Sequence, residues 1–150
     1  MALNSMREQI LEGIKTKLGT VSSITTVKRV RPAFQDLDTI ASTQMPLIAI
    51  LGKLPKPVQK RSSRVQGIPD KFTSVLGVEV YCYALANVDP DSVVSDLADD
   101  IWASLFTDPL LGTLLIEFDV SPEVQVGIWD PYIVFRMNCS AKYIHTTGEI

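Results

Sequence analysis

The acidic side chains that could perform chemistry in this 150-residue chain lie on two segments. Asp96, Asp99 and Asp100 recur at the spacing of a helix face, where carboxylates can bind a divalent cation. Glu117 and Asp119 alternate on a strand-like segment, where two carboxylates can act as an acid/base pair. No histidine accompanies either group, and carboxylates at these spacings are typical of a solvated surface. We therefore predict no metal site and no catalytic pair.

The other potentially reactive side chains are two cysteines and a single histidine. Cys82 and Cys139 lie in strand-like runs without an adjacent group that would lower a thiol pKa, which predicts buried free thiols. His145 lies in a polar C-terminal segment, which predicts a surface histidine. The glycine patterns of phosphate-binding loops and nucleophile elbows do not occur. A nucleotide site is therefore unsupported and we predict no cofactor, although a small enzyme whose site has no recognisable motif stays a hypothesis.

The elements that position these residues are two helices and several strands. Apolar residues at helical spacing predict one helix over residues 5–18 and a second that begins at Asp89 and Pro90 and ends before Asp108. The predicted strands cover residues 24–30, 46–54, 71–86, 114–120 and 132–143, with a turn at 121–123 and a short strand or extended connection at 124–129. The order predicts one α+β domain over residues 1–150. It has a mostly antiparallel sheet of four to five strands, two amphipathic helices on one face, and a long basic loop or hairpin extension over residues 53–71.

The composition is that of a globular protein, with 46% hydrophobic and 21% charged residues. No apolar run approaches the roughly 20 residues of a membrane helix, and the first residues lack a secretory signal. We therefore expect a protein without membrane association, made in the cytosol of its host cell.

Four aromatic residues stand out on predicted elements. Trp102 and Phe106, four residues apart on the second helix, are predicted to anchor the core. Tyr81 and Tyr83 lie on the second face of the long third strand, beside Glu79 and without interleaved Lys or Arg. A platform that stacks single-stranded nucleic acid would combine such aromatics with basic residues. Core packing or a subunit contact is therefore favoured for both tyrosines.

The segment "KLPKPVQKRSSRVQGIPDKF" separates two strand-like runs and is basic and rich in proline. We consider three interpretations of this segment. It could be a solvated loop, a loop that binds nucleic acid, or a contact with the acidic half of an adjacent copy. The basic side chains are Lys53, Lys56, Lys60, Arg61, Arg64 and Lys71.

The two halves of the chain carry opposite charge. Residues 1–71 contain 12 Lys/Arg and 5 Asp/Glu, a net +7, whereas residues 72–150 contain 2 and 12, a net −10; the sum is the overall −3. One domain built from these halves would have a polarised surface, and identical copies would attract one another head to tail. The acidic total, with a pI near 5.1, also differs from the basic charge of most nucleic-acid-binding domains. We therefore prefer the contact between copies.

The layout of the chain resembles the tail terminator, or tail completion, proteins of long-tailed bacteriophages and their minor-tail relatives. The similar features are the opening helix "REQILEGIKTKLG", the long strand that leads into the acid-capped helix with "DLADDIWASL", the "DPLLGTL" exit and the last alternating strand "YIVFRMNCSAKY". The resemblance covers nearly the whole chain, includes no catalytic motif and implies no enzymatic activity.

The resemblance implies a structural virion protein, assembled in the host cytoplasm, that forms a ring on the head-proximal end of the tail tube. Such rings are commonly hexameric; they stop tube growth and join the tail to the connector or stopper proteins of the neck. The tail tube protein would be a partner, as would the sheath if the tail is contractile, and genome DNA would pass through without specific binding. A nucleic-acid-binding accessory protein that uses residues 53–71 is the alternative.

The basic segment matches the position of an extended hairpin or loop that contacts neighbouring subunits or the tube in such proteins. The acidic helix face would contact a neighbour or line the channel, where weak repulsion keeps DNA from sticking. Subunit or partner contacts are thus predicted at Lys53, Lys56, Lys60, Arg61, Arg64, Lys71, Tyr81, Tyr83, Asp96, Asp99 and Asp100.

Overall fold

The computed structural model describes residues 6–31, 44–61, 71–85, 89–112, 114–129 and 132–146. They form an α+β structure, as predicted, with a mixed sheet of six strands, one more than the upper count expected from the sequence. No helix in these ranges is long and apolar enough to cross a membrane. The elements are α1 (Met6–Leu18), β1 (Thr26–Lys28), β2 (Leu47–Gly52), β3 (Lys56–Arg61), β4 (Lys71–Leu85), α2 (Pro90–Leu105), β5 (Glu117–Trp129) and β6 (Tyr132–Thr146).

The sheet is built around two long strands, β4 and β6, which are 15 residues each and pair along their whole length. The strand order is β1-β2-β4-β6-β5, and β3 also pairs with β4. β2 pairs with the second half of β4 and β3 with its first residues, so β2 and β3 form one row along the same side of β4. β1 pairs parallel with β2, and the other pairings are antiparallel.

Alternating residues of the strands form two buried clusters. The larger cluster contains residues of both helices together with one set of alternating strand residues, among them Leu76, Val78 and Val80 of β4. Burial of each large aliphatic side chain contributes about 1.5–3 kcal/mol of stabilisation. The smaller cluster contains no helix residue within the described ranges; its members are Met45, Leu47, Ala49, Tyr81, Tyr83 and Val134.

Helix α2 begins where the sequence predicts but faces the core differently. The Asp89 carboxylate accepts a hydrogen bond from the Ser92 backbone N–H at 3.3 Å, and Pro90 occupies the first turn, where its missing N–H costs nothing. Leu97, Ile101 and Leu105, each four residues apart, are the buried positions.

The prediction that Trp102 and Phe106 anchor the core is wrong. Trp102 is 43% exposed and Phe106 is 37% exposed, and their rings contact each other with centroids 5.2 Å apart. Trp102 lies about 100° around the helix from Ile101. Because the apolar stripe is wider than the surface that the sheet covers, the two aromatic side chains lie at its margin.

Two predictions near the C-terminus are also wrong, because β5 and β6 are longer than the sequence indicates. The predicted turn at 121–123 lies within β5, which continues through a register shift between Val120 and Val124, typical of a β-bulge. His145 is 2% exposed and not on the surface. It lies on β6, which extends to Thr146 and pairs with the start of β4.

The two cysteines are buried free thiols, as predicted. Burial raises the pKa of Cys82 to about 12 and that of Cys139 to about 12. Both thiols therefore stay protonated at neutral pH, and neither is an activated nucleophile.

Candidate subunit interface

Part of the predicted basic loop is a strand. β3, with the sequence "KPVQKR", pairs antiparallel with the start of β4, in a register that places Lys56 opposite Val75 and Arg61 opposite Lys71. Lys60, Arg61 and Lys71 therefore lie on two paired strands of the sheet. Residues 62–70, which include Arg64, lie outside the described residues. The sequence predicted a long basic loop or hairpin extension over residues 53–71, and residues 56–61 of it form β3.

The chain is held firmly at the point where it leaves β2 for β3. Arg7 of α1 donates hydrogen bonds to the carbonyls of Gly52 at 2.8 Å and Lys53 at 3.2 Å. The Lys53 N–H donates to the Gly77 carbonyl of β4 at 2.9 Å. A Cβ atom on Gly52 would lie 2.6 Å from a methyl carbon of Leu11, so a larger residue would displace the Leu11 side chain. These contacts set the direction in which β3 leaves the helix-covered part of the sheet.

Glu79 is the centre of a charged network beside this point. Its carboxylate accepts a hydrogen bond from the Tyr81 hydroxyl at 2.6 Å and lies 3.6 Å from Lys53 Nζ and 4.0 Å from Arg136 Nη1. The hydrogen bond from Tyr81 lowers the pKa of Glu79, and the charges of Arg136 and Lys53 lower it further. With its side chain only 18% exposed, Glu79 is an ionised carboxylate that holds two strands and the basic segment together.

We expect Glu79→Gln to destabilise the fold by about 1–2 kcal/mol at pH 7, the size typical of a hydrogen bond to a charged group. Because the folded-state pKa is lowered, this contribution is present above the ordinary carboxyl pKa of 4.5 and is lost as pH falls through the folded-state value. Urea unfolding of wild type and variant at pH 7 and pH 3 measures this contribution to the free energy of unfolding. The difference between wild type and variant should shrink at pH 3, and an unchanged difference would contradict an ionic origin. Asp99→Asn, at an exposed position, is the control for the loss of one carboxylate.

The two predicted interface tyrosines are core residues. Tyr81 is 7% exposed and Tyr83 is 1% exposed within the chain itself. Of the two predicted roles, this burial supports core packing and does not support contact with a partner. The Arg31 guanidinium lies over the Tyr81 ring at 4.3 Å from its centroid and donates a hydrogen bond to the Tyr83 hydroxyl at 3.0 Å. Because Arg31 covers this face of the Tyr81 ring, a nucleic-acid base cannot stack there.

Arg31 and Arg136 are members of this network that sequence reasoning missed. Arg136 lies directly opposite Tyr81 in the β4–β6 register, and Arg31 is 50 residues earlier in sequence than Tyr81. Alternation along β6 indicated that Arg136 shares a face with the polar residues of that strand. The pairing register, which alternation does not provide, would have placed it beside Tyr81.

The predicted acidic residues of α2 lie on its exposed side. Asp96, Asp99 and Asp100 are exposed, and Asp100 accepts a hydrogen bond from the Ser23 hydroxyl at 2.7 Å. Asp100 is thus partly used within the chain, whereas Asp96 and Asp99 are available to a partner or to solvent. Throughout the described part of the chain, no group of three or more His, Cys, Asp or Glu residues could hold a metal ion.

The basic residues of β3 and Asp96 of α2 lie at opposite ends of β4. The first residues of β4 pair with β3, and its last residues lead to α2, where Asp96 lies beside Ala84 and Leu85. A strand of 15 residues is about 50 Å long at roughly 3.3 Å per residue. Across the sheet, the basic strands β1 and β3 lie on one side, and β5, whose charged residues are all acidic, lies at the other edge.

Ser74 and His145 form the one pair whose chemistry resembles that of a nucleophile and its base within the described residues. Ser74 Oγ lies 2.6 Å from His145 Nε2, and the imidazole stacks on Phe72 with ring centroids 5.5 Å apart. Ser74 is 0% exposed and His145 is 2% exposed. A substrate cannot reach the serine oxygen in this structure, so the pair serves to join β4 to β6.

Comparison of the chain with protein-family models and with curated proteins finds no match. Interpretation of the interface therefore depends on the geometry above and on the layout of the sequence.

Proposed function

We propose that this protein is a structural component of a bacteriophage virion. Copies assemble into a ring, hexameric in the family that the sequence resembles, on the head-proximal end of the tail tube. The ring ends tube growth and joins the tail to the connector or stopper proteins of the neck. The observation that carries this proposal is that the basic strands β1 and β3 and the acidic strand β5 lie at opposite edges of the sheet.

A polarised protomer suits a ring for a physical reason. When one surface of each copy contacts a different surface of the next, the contacts close into a ring if the rotation permits, and no complementary surface is left over. Opposite charges on the two surfaces accelerate association and disfavour the wrong orientation. The proposed basic contact surface is a hairpin extension that carries Lys53, Lys56, Lys60, Arg61, Arg64 and Lys71.

The acidic side of α2 has a separate role in this proposal, outside the contact between copies. With both helices on one face of the sheet, Asp96 and Asp99 project away from the core and can line the channel through which genome DNA passes. Like charge keeps the polyanion from adhering to the wall. The ring binds the tail tube protein and a neck protein, contacts a sheath if the tail contracts, and uses no metal, cofactor or membrane.

A nucleic-acid-binding accessory protein is the second candidate, and the observation that favours it is β3, which carries three basic residues and no acidic residue. Neutralising phosphates releases counterions, so such binding weakens steeply with salt. Filter binding of labelled DNA between 50 and 500 mM salt tests this candidate. Absent or salt-insensitive binding removes it.

The ring proposal is tested with the purified protein and with tail tubes assembled in its absence. We expect light scattering to give a mass several times that of the 16.5 kDa protomer, and electron microscopy to show closed annuli. Added to growing tubes, the protein should stop elongation and appear as a ring at one end. A protein that stays monomeric and never joins tubes would refute the proposal.

A further inference from the structure

We infer that neighbouring copies join by edge-to-edge strand pairing, in which β5 of one copy adds to the opposite edge of the sheet in the next copy. This inference rests on the proposed ring and specifies its interface. We call β5 the acidic edge, and residues 26–31 together with residues 53–61 the basic edge.

Both edges are open within the described residues. β5 pairs only with β6, β1 only with β2, and β3 only with β4. An edge strand presents N–H and C=O groups that can pair with another chain. β5 is 13 residues long, which gives it ample backbone for this pairing.

The two edges carry opposite charge. The acidic edge contains Glu117, Asp119 and Glu123, all exposed, and no Lys or Arg. Part of this charge is used inside the chain, since Lys142 lies 3.8 Å from Glu117. The basic edge contains no Asp or Glu, and its Lys and Arg residues are Lys28, Arg29, Arg31, Lys53, Lys56, Lys60 and Arg61.

Some basic residues are also engaged within the chain. Arg29 contacts Glu8 at 3.2 Å and Glu12 at 2.9 Å, and Lys53 lies near Glu79. Lys28 and Lys56 are exposed, and no ion pair within the described residues involves them. These two lysines are therefore the described basic-edge residues best placed to meet the acids of a neighbour.

Each edge also exposes large apolar side chains. On the basic edge Val30 is 72% exposed and Leu54 is 82% exposed, and on β5 Ile128 is 66% exposed and Val126 is 51% exposed. Apolar groups surrounded by polar residues are typical of contact surfaces. The basic edge is stepped, because β1 pairs with β2 and lies one strand further out than β3, which pairs with β4. A neighbouring β5 covers the apolar side chains beside the strand that it joins.

Strand directions permit this pairing without inverting a copy. β3, β4, β6 and β5 alternate in direction, because each runs antiparallel to the one before it. β5 is therefore antiparallel to β3, and also to β1, which runs parallel with β2. A neighbour related by simple rotation thus offers β5 an antiparallel partner. A twofold contact between two β5 strands would instead bring three acids on each strand against like charge.

The register also brings the opposite charges to one level. Glu117 pairs with Lys142, Lys142 with Val75, and Val75 with Lys56, so Glu117 and Lys56 end the same row at opposite edges. Cross-strand partners lie on the same face of a sheet. Rotation about a ring axis therefore brings Lys56 of one copy towards Glu117 of the next without a large shift along the strands.

A second row has the same property. Lys28 ends a row that runs through Ala49, Tyr81 and Arg136 to Gln125. Gln125 lies two residues from Glu123, which stands in the register shift of β5 between Val120 and Val124. A neighbour that joins β1 to β5 therefore brings Lys28 to the level of Gln125 and Glu123.

Charge reversal with rescue tests the inference. Asp119→Lys with Glu123→Lys reverses the acidic edge, and Lys28→Glu with Lys56→Glu reverses the basic edge. We expect each double variant alone to associate at least about 10-fold more weakly than wild type, because like charges then face each other. An equimolar mixture of the two should regain association, and so should the chain that carries all four substitutions. Light scattering over a concentration series measures each case.

A matched control makes the same charge change elsewhere. Asp96→Lys with Asp99→Lys on α2 should associate like wild type. Wild-type association in the edge variants, absence of rescue, or dissociation of the α2 variant would each overturn edge pairing. Circular dichroism verifies that each variant folds. If the β5 charge-reversal variant does not fold, Asp119→Asn with Glu123→Gln replaces it and should associate more weakly than wild type by about 3-fold or more. Unchanged association of this replacement would overturn the inference.

The outcomes separate this inference from the proposed virion role. Copies that join through their edges but never bind tail tubes would support edge pairing and refute the virion role. Rings that cap tubes, and that dissociate only when they carry the α2 substitutions, would support the virion role and refute edge pairing. A wild-type chain that stays monomeric at every concentration would overturn edge pairing.

Discussion

Ile101→Ala is expected to lower the free energy of unfolding by about 2–5 kcal/mol, whereas Trp102→Ala, one position along, should cost less, about 1–2 kcal/mol. Ile101 is fully buried in the larger core cluster, so its truncation leaves a cavity. Trp102 is 43% exposed, and much of its surface is already in water. Urea unfolding followed by far-UV circular dichroism measures both variants without depending on tryptophan fluorescence.

Ile101→Ala and Trp102→Ala are controls for each other, because both residues lie on α2 and have similar helix propensities. If Trp102→Ala cost as much as Ile101→Ala, α2 would be rotated by about 100° from the orientation described. Leu97→Ala should behave like Ile101→Ala, since it lies one turn earlier on the same side. Retained assembly by the Trp102 variant would further show that the exposed aromatic pair is not part of the subunit contact.

The helix α2 shows what the sequence could and could not predict. Its start was predictable because Asp89 and Pro90 act locally, through a capping hydrogen bond and a fixed φ angle. Its rotation was not, because eight apolar positions span about half of its circumference and several orientations would bury a stripe. Contact with the sheet selects the face, and that contact depends on distant residues.

Strand pairing sets a similar limit. Alternation placed Phe135, Met137 and Cys139 on one side of the last strand, and all three are buried. Alternation does not state how far a strand continues. His145 therefore looked like part of a polar tail, although β6 extends alongside the start of β4 and buries it.

The candidate interface was predictable in charge but less so in structure. Counting Lys and Arg identified residues 53–71 as basic without reference to any fold. That residues 56–61 form β3 follows from the greater length of β4, which continues past the end of β2 and leaves backbone groups to pair. The contacts of Glu79 with Arg136 and Lys53 arise from register and could not be obtained from local patterns.

The second large effect is expected on assembly. Reversal of Lys60, Arg61 and Arg64 to Glu should weaken association by about 10- to 100-fold per contact, because three attractive charges on the contact surface become repulsive. The free energy of unfolding should change much less, by about 1 kcal/mol or less, because β3 is joined to β4 through its backbone and single surface changes have small effects. Light scattering and urea unfolding measure the two quantities. Equal losses of assembly and stability would contradict the interface assignment.

The same variant separates the ring from the nucleic-acid alternative. If charge pairing between copies holds the ring, the triple Gln variant should associate with intermediate strength, and added salt should weaken the wild-type ring while partly relieving repulsion in the Glu variant. If the basic segment instead binds nucleic acid, the Glu variant should lose salt-sensitive DNA binding while its mass in solution stays that of wild type. Because the two functions predict opposite changes in mass and in DNA affinity, one pair of measurements on one variant decides between them.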